Sequence, residues 1–390
     1  MRQLALTHAA ILTPFNLIEE ATILVEGKKI KAVGSVTDIQ IPPGYQEIGL
    51  EGLLIAPGFI DQHLHGGGGS EIMQGTTECL TDIAKFHATH GTTAFLATTI
   101  SGARDQLVEV AKAYAGLPDE YLGARCLGLH LEGPYLSPVR SGIHSAYTFR
   151  EPSVEEVLTI HRLSGSGVKM VTMAPELKGA MNVARELINE GIVCSIGHSN
   201  ADYDETLAAI DAGFSAVTHC YNQLKPFHHR DPGVIGAALT NDALSLELIV
   251  DNIHLHQAAV DLAYRAKGEA GIILVSDAMA PVGLLDGSYQ TTIGELKVEN
   301  GKLTDGMGKL AGSTLTLDKA VKNFFEITRC ELTEVFRMVT YNPAKFLGIN
   351  KKKGSLYPGK DADIIVLTPD LEVVMTMVEG EIISGLITPY

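Results

Sequence analysis

Gly58-Phe59-Ile60-Asp61-Gln62-His63-Leu64-His65 closely follows an apolar run over residues 53–56. The apolar run predicts a buried strand with two histidines at its far end. Because residues i and i+2 of a strand point to the same face, His63 and His65 would direct two imidazoles toward one point. Two nitrogen ligands from one strand suit a borderline metal ion such as zinc. At this stretch alone, two polar residues that merely end a strand remain the alternative.

Beyond this stretch, strand-like and helix-like segments alternate. Apolar or β-branched runs predict strands over residues 53–60, 92–100, 125–131, 168–174, 191–197, 214–219, 245–251 and 271–276. Helix-like segments lie between most of them, at residues 76–90, 104–115, 154–163, 179–190, 202–212 and 257–267. Eight strands alternating with helices predict an α/β fold with a parallel sheet, and eight is the number that closes a (β/α)8 TIM barrel. An open doubly wound sheet is the alternative.

Both ends of the chain carry a strand pattern of their own. Residues 4–12, 22–26 and 29–34 predict short strands, and residues 359–386 return to this texture after a helical tail at 314–347. We therefore predict a small β-sandwich domain built from residues 1–54 and 355–390. Residues 55–354 would form the catalytic barrel.

Composition restricts the class of protein. The 390 residues are 45% hydrophobic and 19% charged, which provides for a large core. The net charge of −16 argues against a nucleic-acid partner, because phosphate backbones attract basic surfaces. The five cysteines show no paired spacing, no apolar run approaches membrane-spanning length, and the start shows no convincing cleavage site. We expect a cytoplasmic protein without a membrane partner that acts on a small molecule.

Potential metal ligands occur at the ends of several predicted strands. They are His63 and His65 on strand one, Glu132 on strand three, His198 on strand five, His219 on strand six, Asp251 and His254 on strand seven, and Asp277 on strand eight. Each alone is more often a structural hydrogen-bonding residue. In a TIM barrel, however, these strand ends converge on the face that carries the active site. Their coincidence predicts a metal centre.

Three of these residues, Glu132, His198 and His219, form a set that can hold a hydrolytic metal ion and leave a position for water. Glu132 could also bridge to a second ion held by the two histidines of strand one. Asp277, after the last strand, is suited to take a proton from water and return it to a leaving group. This set predicts a hydrolase.

Longer motifs add a resemblance to a known family. The chain resembles the amidohydrolase superfamily through residues 57–61 with the HxH pair, and within it is similar to the N-acetylglucosamine-6-phosphate deacetylase family. The second resemblance rests on GLHLEGP (128–134), GIH (142–144), GHS (197–199), TH (218–219), Asn222, RDPG (230–233), SDA (276–278) and LAGS (310–313). It implies hydrolysis of the N-acetyl group of a hexosamine 6-phosphate, yielding acetate.

The resemblance also implies roles for single residues. Glu132, His198 and His219 would bind a divalent metal, zinc first, with iron, cobalt or manganese as alternatives and one or two ions per subunit. Asp277, itself a metal ligand, would act as general base and acid. His144 would polarise the acetyl carbonyl.

Substrate binding is implied for a second set of residues. They are Ile143, His144, Asn222, Gln223, Arg230, His254, Leu310, Ala311 and Gly312. Arg230 suits a phosphate because its planar fork binds two oxygens at once. In the family the matching arginine reaches the neighbouring subunit's site, which implies a homodimer.

Gln223 departs from the family pattern, where we expect alanine, and this leaves the gluco and galacto epimers of the substrate open. Deamination of a nucleobase, opening of a cyclic amide, or a non-catalytic scaffold are the alternative functions. The phosphate-binding set favours the deacetylase, and the complete set of ligands argues against a scaffold.

Of the remaining histidines, His130 is expected to orient the metal ligands without binding the ion itself. His87, His90 and His161 lie in predicted helices and are expected to be solvated.

Overall fold

The computed structural model describes residues 2–385; Met1 and residues 386–390, the end of the predicted small domain, lie outside them. The strands β1 to β21 are Gln3–Leu12, Leu17–Glu26, Lys29–Ser35, Gln46–Gly49, Leu54–Pro57, Phe59–Leu64, Gly66–Gly67, Ser70–Glu71, Thr92–Thr99, Arg125–Glu132, Val168–Met173, Val193–Ile196, Ala216–Val217, Ser245–Leu248, Ile272–Leu274, Gly287–Thr291, Gly294–Glu299, Lys302–Asp305, Ile364–Leu367, Val373–Val378 and Glu381–Gly385. The α-helices α1 to α10 are Thr77–Ala88, Arg104–Ala115, Val154–Leu163, Ala180–Asn189, Tyr203–Asp211, Gly233–Thr240, Gln257–Lys267, Leu317–Thr328, Leu332–Val339 and Tyr341–Phe346.

Eight parallel strands form the central barrel. Around the sheet they follow the order β6, β9, β10, β11, β12, β13, β14 and β15, each hydrogen-bonded to the next. The sheet closes through the segment after β15, where Asp277 N donates to His63 O at 2.9 Å and His65 N donates to Ala278 O at 2.8 Å. The predicted (β/α)8 barrel is confirmed.

The barrel strands are largely buried along their length because helices cover one face and the barrel interior the other. All eight residues of β9 are buried, for example. Several helices begin at polar caps. At α5, Asp202 accepts from Glu205 N at 2.8 Å and the Glu205 side chain accepts from Asp202 N at 2.9 Å. Within residues 2–385, no helix combines the length and apolar character that crossing a membrane requires.

The first barrel strand differs from the prediction. The apolar run over 53–60 is divided: β5 pairs with β1 and β19 of the terminal sheet, and barrel strand β6 begins at Phe59. The chain crosses between the sheets at Gly58, where a Cβ atom would come within 2.1 Å of the Thr93 side chain. The prediction of a single strand over residues 53–60 was therefore wrong. As a result His63 lies within β6, and His65 directly follows it.

Strands from both chain ends form a second, β-rich domain, as predicted. Its strands run in the order β21, β20, β19, β5, β1, β2 and β3, with β4 paired to β1. They are hydrogen-bonded into one continuous sheet and share a hydrophobic cluster of their own. By strand pairing, the first segment of this sheet extends to Pro57.

A three-stranded antiparallel sheet, β16 to β18, follows the last barrel strand and was not predicted. Two signals for it are present: alternation of exposed and buried side chains along β17, and Asn300-Gly301 in the turn before β18. We name residues 287–305 the hairpin insertion. It lies next to the 310–312 segment, since Ala311 N donates to Leu303 O at 3.2 Å.

Candidate active site

The predicted metal ligands meet at the carboxyl-terminal end of the barrel strands. His63 Nε2 and His65 Nε2 lie 3.2 Å apart. Glu132 Oε1 lies 3.2 Å from His198 Nε2 and 3.0 Å from His219 Nε2. All five side chains are buried. The barrel thus brings together residues separated by more than 150 positions in sequence, as the strand-end pattern predicted.

Glu132 joins two groups of potential ligands. One group contains His63, His65 and Asp277, with His65 Nε2 3.1 Å from Asp277 Oδ1. On the other side, the carboxylate of Glu132 faces His198. The second oxygen of Glu132, Oε2, is 3.3 Å from His65 Nε2. A carboxylate with one oxygen toward each group has the geometry of a bridging ligand.

The ring orientation of the histidines fits a metal ion. Nδ1 of His63 lies 3.0 Å from Glu247 Oε2, Nδ1 of His65 lies 3.1 Å from Thr98 O, and Nδ1 of His198 lies 2.7 Å from Arg140 O. Since these oxygens only accept, each neutral ring donates from Nδ1 and turns the lone pair of Nε2 into the cavity. Lone pairs facing each other at 3.2 Å repel unless a cation lies between them. The donor set therefore fits a divalent metal ion.

The pKa shifts of His65 and Asp277 agree that this side of the cluster stabilises positive charge, whereas burial and the neighbouring His144 lower the pKa of His198 to about 4. Burial opposes protonation of His65, but the carboxylates of Asp277 and Glu132 outweigh it and raise the pKa of His65 to about 9. Burial likewise disfavours the Asp277 anion, yet its hydrogen bond to His65 and the nearby imidazoles lower the pKa of Asp277 to about 2. Carboxylates held ionised in a buried site require cations beside them.

Four of the predicted non-glycine site residues have an unusual backbone. The φ angles of His198, His219, Gln223 and Asp277 are 46°, 30°, 50° and 50°, in the left-handed region that non-glycine residues rarely adopt. Each lies in the loop that follows its barrel strand. Such strain persists where the surrounding contacts determine the conformation, and it is commonest at functional sites.

A cavity opens above the ligands and contains most of the predicted substrate-binding residues. Its wall is formed by His65, Glu132, Gly142, Ile143, His144, His198, His219, Asn222, Gln223, His254, Asp277, Met279, Leu310 and Gly312. Ala311 is fully buried beside it. Arg230 does not line the cavity; it is exposed, with Nη1 2.9 Å from His229 Nε2. Within one chain, the site therefore gathers the predicted residues except Arg230 and Asp251, which pairs with His254 outside the ligand cluster.

Comparison with known proteins agrees with this geometry. Residues 54–383 match the model of the Amidohydrolase family. The N-acetylglucosamine-6-phosphate deacetylase of Lysinibacillus sphaericus is 39% identical over 343 residues, 87% of this chain and 88% of the relative. This chain belongs to the amidohydrolase family.

Two further relatives support the assignment of this amidohydrolase. The N-acetylgalactosamine-6-phosphate deacetylase of Escherichia coli O157:H7 is 36% identical over 336 residues, 85% of this chain and 88% of the relative. The crystal structure of N-acetylglucosamine-6-phosphate deacetylase from Pasteurella multocida superposes with a TM-score of 0.92 at 32% identity, covering 98% of this chain and 100% of that one. The resemblance stated from the sequence motifs is confirmed.

His144 of the amidohydrolase site presents a proton to the cavity. Its Nδ1 lies 3.1 Å from the backbone N of Ser101, which can only donate, so Nδ1 accepts. The neutral ring then carries its proton on Nε2, which lies 3.3 Å from Glu132 Oε2. His144 thus has the tautomer opposite to that of His63, His65 and His198. It is a hydrogen-bond donor, as its implied role requires.

His254 is held by an acid outside the cluster of ligands. Its Nδ1 lies 2.7 Å from Asp251 Oδ2. Burial opposes protonation, but this hydrogen bond and the charge of Asp251 raise the pKa of His254 above its usual value. His254 therefore brings positive character to the cavity wall, which suits an anionic group of a substrate.

The supporting residues were only partly predicted. His130 is fully buried, 3.2 Å from Thr98 Oγ1 and 2.7 Å from Thr172 Oγ1, in the supporting position expected from strand alternation. Glu247 was missed; the signal was a carboxylate inside the apolar strand Ser245–Leu248. The prediction of a solvated His87 was wrong: it is 0% exposed, and its Nε2 donates to Gly66 O at 2.9 Å.

Proposed function

We propose that this amidohydrolase hydrolyses the N-acetyl group of N-acetylglucosamine 6-phosphate and releases glucosamine 6-phosphate and acetate. The observation that carries the proposal is the pairing of an ionised acid, Asp277, with a histidine that donates from Nε2, His144, in one cavity with the ligand cluster. Amide hydrolysis needs a base for water and a donor for the carbonyl oxygen. Relatives of this amidohydrolase that carry the name of this reaction support the choice of amide.

The metal proposed for this site is zinc, held as one or two ions by His63, His65, Glu132, His198, His219 and Asp277. When bound, such an ion acts as a Lewis acid and lowers the pKa of a bound water toward ~7. Imidazole and carboxylate donors also accept iron, cobalt or manganese. Metal analysis of the purified protein identifies the ion.

The residues of the chain divide the proton transfers between them. Asp277 is ionised at neutral pH and takes a proton from the attacking water. The same carboxyl group then gives this proton to the nitrogen of the departing amino sugar. His144 donates from Nε2 to the carbonyl oxygen as negative charge develops there, a contact worth about 3–4 kcal/mol in comparable sites.

The sugar phosphate is proposed to bind at the open end of the cavity. Asn222 and His254 line this region, together with the backbone of residues 310–312. Arg230 would complete the site from the second subunit of a homodimer, since the arginine of the same chain is exposed outside the cavity. A guanidinium suits a phosphate because it binds two oxygens at once.

The cell compartment and the domain roles are also proposals. The five cysteines are free thiols, which agrees with a cytoplasmic location. Residues 55–354, proposed as the catalytic domain, supply every residue that lines the cavity. The terminal domain, proposed as residues 1–54 and 355–390, then serves to support the barrel.

The galacto epimer is a second candidate substrate, because Gln223 changes the cavity wall beside the proposed sugar site. Its side chain packs against Gly142, where an added Cβ would lie 3.1 Å from Gln223 Cγ. It thus occupies part of the cavity wall with an amide that can bond a sugar hydroxyl. A relative named for the galacto substrate is nearly as similar as the gluco relatives.

Acetate release tests the proposed reaction directly. The zinc-loaded protein is assayed with N-acetylglucosamine 6-phosphate, N-acetylgalactosamine 6-phosphate and unphosphorylated N-acetylglucosamine in parallel. We expect rapid turnover of a phosphorylated sugar and slow turnover of the unphosphorylated one. Preference for the galacto compound would assign the second candidate, whereas turnover of none would contradict the deacetylase function.

A further inference from the structure

Glu247 is a buried carboxylate to which none of the steps above assigns a role. It lies in β14, points into the barrel and is 0% exposed. Three donors converge on it: Gln62 Nε2 donates to Oε1 at 2.7 Å, while His63 Nδ1 and His219 N approach Oε2 at 3.0 and 3.3 Å. A buried carboxylate with several donors is a strongly determined feature, because leaving it unpaired costs free energy.

The main chain of Glu247 adds a fourth contact. Its carbonyl oxygen accepts from Cys220 N at 2.8 Å, one residue beyond the contact of its side chain with His219 N. These two bonds bracket His219, whose φ of 30° is unfavourable for a residue with a side chain. Glu247 therefore holds the strained turn that directs His219 into the cavity.

The same carboxylate fixes the ring of a second ligand. By accepting from His63 Nδ1, it holds His63 in the tautomer whose Nε2 lone pair faces the cavity. His63 and His219 come from different strands and belong to different sides of the cluster. The carboxylate of Glu247 contacts both of these predicted ligands.

We propose that Glu247 is a positioning residue that sets the metal affinity of both sides of the site, by orienting the His63 ring and the His219 backbone together. It does not touch the reacting atoms, so its effect passes through the two ligands. Comparable supporting carboxylates change metal affinity by about 10- to 100-fold when they are replaced. This inference rests on the metal-dependent function proposed above.

Glu247→Gln separates charge from shape. The amide oxygen can still accept from His63 Nδ1. Gln62 Nε2 faces the other position, so the Gln62 amide must turn over for its Oε1, which has no hydrogen-bond partner in the described structure, to accept from the new amide nitrogen. The variant keeps the volume and most contacts but loses the negative charge. Glu247→Ala removes the contacts as well. Glu156→Gln is the matched control, because Glu156 is a buried carboxylate that pairs with Arg150 away from the cavity.

Zinc binding is measured with the metal-free full-length protein by competition against a chromogenic chelator, and folding is followed by circular dichroism. We expect Glu247→Gln to bind zinc about 10-fold more weakly than the wild type, and Glu247→Ala about 100-fold more weakly. Glu156→Gln should bind zinc as the wild type does. If Glu247→Ala does not fold, the comparison of Glu247→Gln with Glu156→Gln decides.

The zinc-binding experiment distinguishes failure of the positioning role from failure of the proposed function. Wild-type zinc affinity in a folded Glu247→Gln protein would overturn the positioning role and leave the proposed function intact. Failure of the wild-type protein itself to bind zinc or another divalent metal would instead contradict the metal-dependent function. A loss of affinity in Glu247→Gln that Glu156→Gln does not share supports the inference.

Discussion

Asp277 combines the properties that a proton carrier in this cavity needs. It is 3.1 Å from His65 Nε2, lines the cavity, and remains ionised because neighbouring imidazoles outweigh the effect of burial on its pKa. Asp277→Asn keeps the shape but removes the base, so we expect kcat to fall by about 10³-fold or more. Acetate release measures the loss, and metal analysis should still find zinc. Asp261→Asn, on the outer helix α7, is the control and should keep its kcat. A fall in kcat of less than about tenfold in Asp277→Asn would contradict its role as proton carrier.

His87 provides a pH prediction at the same scale. Burial lowers the pKa of His87 from 6.5 to about 4, so the folded protein keeps it neutral while the unfolded chain takes up a proton. The stability that this neutral ring provides is complete above pH 6.5 and is lost as pH falls toward 4. Between pH 7.5 and 5.0 the loss is about 2 kcal/mol.

The test is urea unfolding of the metal-free protein at these two pH values. His87→Gln retains a donor for Gly66 O but has no titrating group, so its free energy of unfolding should change by about 2 kcal/mol less than that of the wild type. His228→Gln, at an exposed position, should behave as the wild type does. Equal pH dependence in wild type and His87→Gln would contradict the assignment.

At the scale of elements, the hairpin insertion packs against one wall of the cavity. Glu71, at the end of β8, accepts from Thr292 N at 2.7 Å and from Thr292 Oγ1 at 2.9 Å. Through β18 the insertion holds the segment of Leu310 and Gly312 against the cavity. This Glu71–Thr292 contact, which we name the clamp, therefore fixes a wall of the proposed substrate site that contains none of the predicted metal ligands.

Glu71→Ala should raise KM for the phosphorylated sugar by about tenfold, since it removes two hydrogen bonds to a charged group. The value of kcat should change much less, because Asp277 and His144 keep their contacts. Glu295→Ala, an exposed residue of β17 in the same insertion, is the control. Steady-state kinetics measure kcat and KM separately. A fall in kcat of about tenfold with an unchanged KM would argue against a clamp.

The elements also show what sequence patterns could and could not predict. Barrel strands and their helices follow from apolar runs and caps because each pattern is local: β9 and α2 lie where the periodicity places them. The prediction of a single strand over residues 53–60 failed because two sheets share this apolar stretch. The stretch is divided at Gly58, whose close contact with Thr93 depends on the tertiary structure. Glu247 was missed because the histidine partners of its side chain lie 28 and 184 residues away in sequence.

At the scale of the whole molecule, the terminal sheet supports the barrel strand that carries the HxH pair. Gly58 N, just before β6, donates to Asp363 O at 3.0 Å. Asp363 in turn pairs with the buried Lys353, whose Nζ lies 2.6 Å from Asp363 Oδ2 and 3.1 Å from Asp361 Oδ2. Residue 363 of the terminal sheet region thus contacts the residue before β6 through its backbone, while its side chain belongs to a buried ion cluster.

Lys353→Met should destabilise the protein by about 3–5 kcal/mol, because the carboxylate of Asp363 would stay buried without its cation, whereas Asp361 keeps its pair with Lys29. Chemical unfolding measures this difference. Lys352→Met changes an exposed neighbour and should have an effect within about 0.5 kcal/mol. Similar stability of the two variants would show that the cluster is solvated and does not join the domains.

The chain has a net charge of −16, so binding of a phosphorylated substrate requires a local cation. Within one chain Arg230 is exposed outside the cavity, and we expect it to act in the partner subunit. Arg230→Ala should raise KM for the phosphorylated sugar far more than for the unphosphorylated one.

Mixed dimers test the direction of this contact. Asp277→Asn and Arg230→Ala subunits are co-expressed with different tags, and the mixed dimer is isolated. If Arg230 acts across the interface, the Arg230→Ala subunit keeps its own base and receives arginine from its partner, whereas the other site lacks both. One of two sites is then intact, and activity per dimer should be about half that of the wild type. If Arg230 acts within its own chain, both sites of the mixed dimer are defective and activity should match that of the single variants.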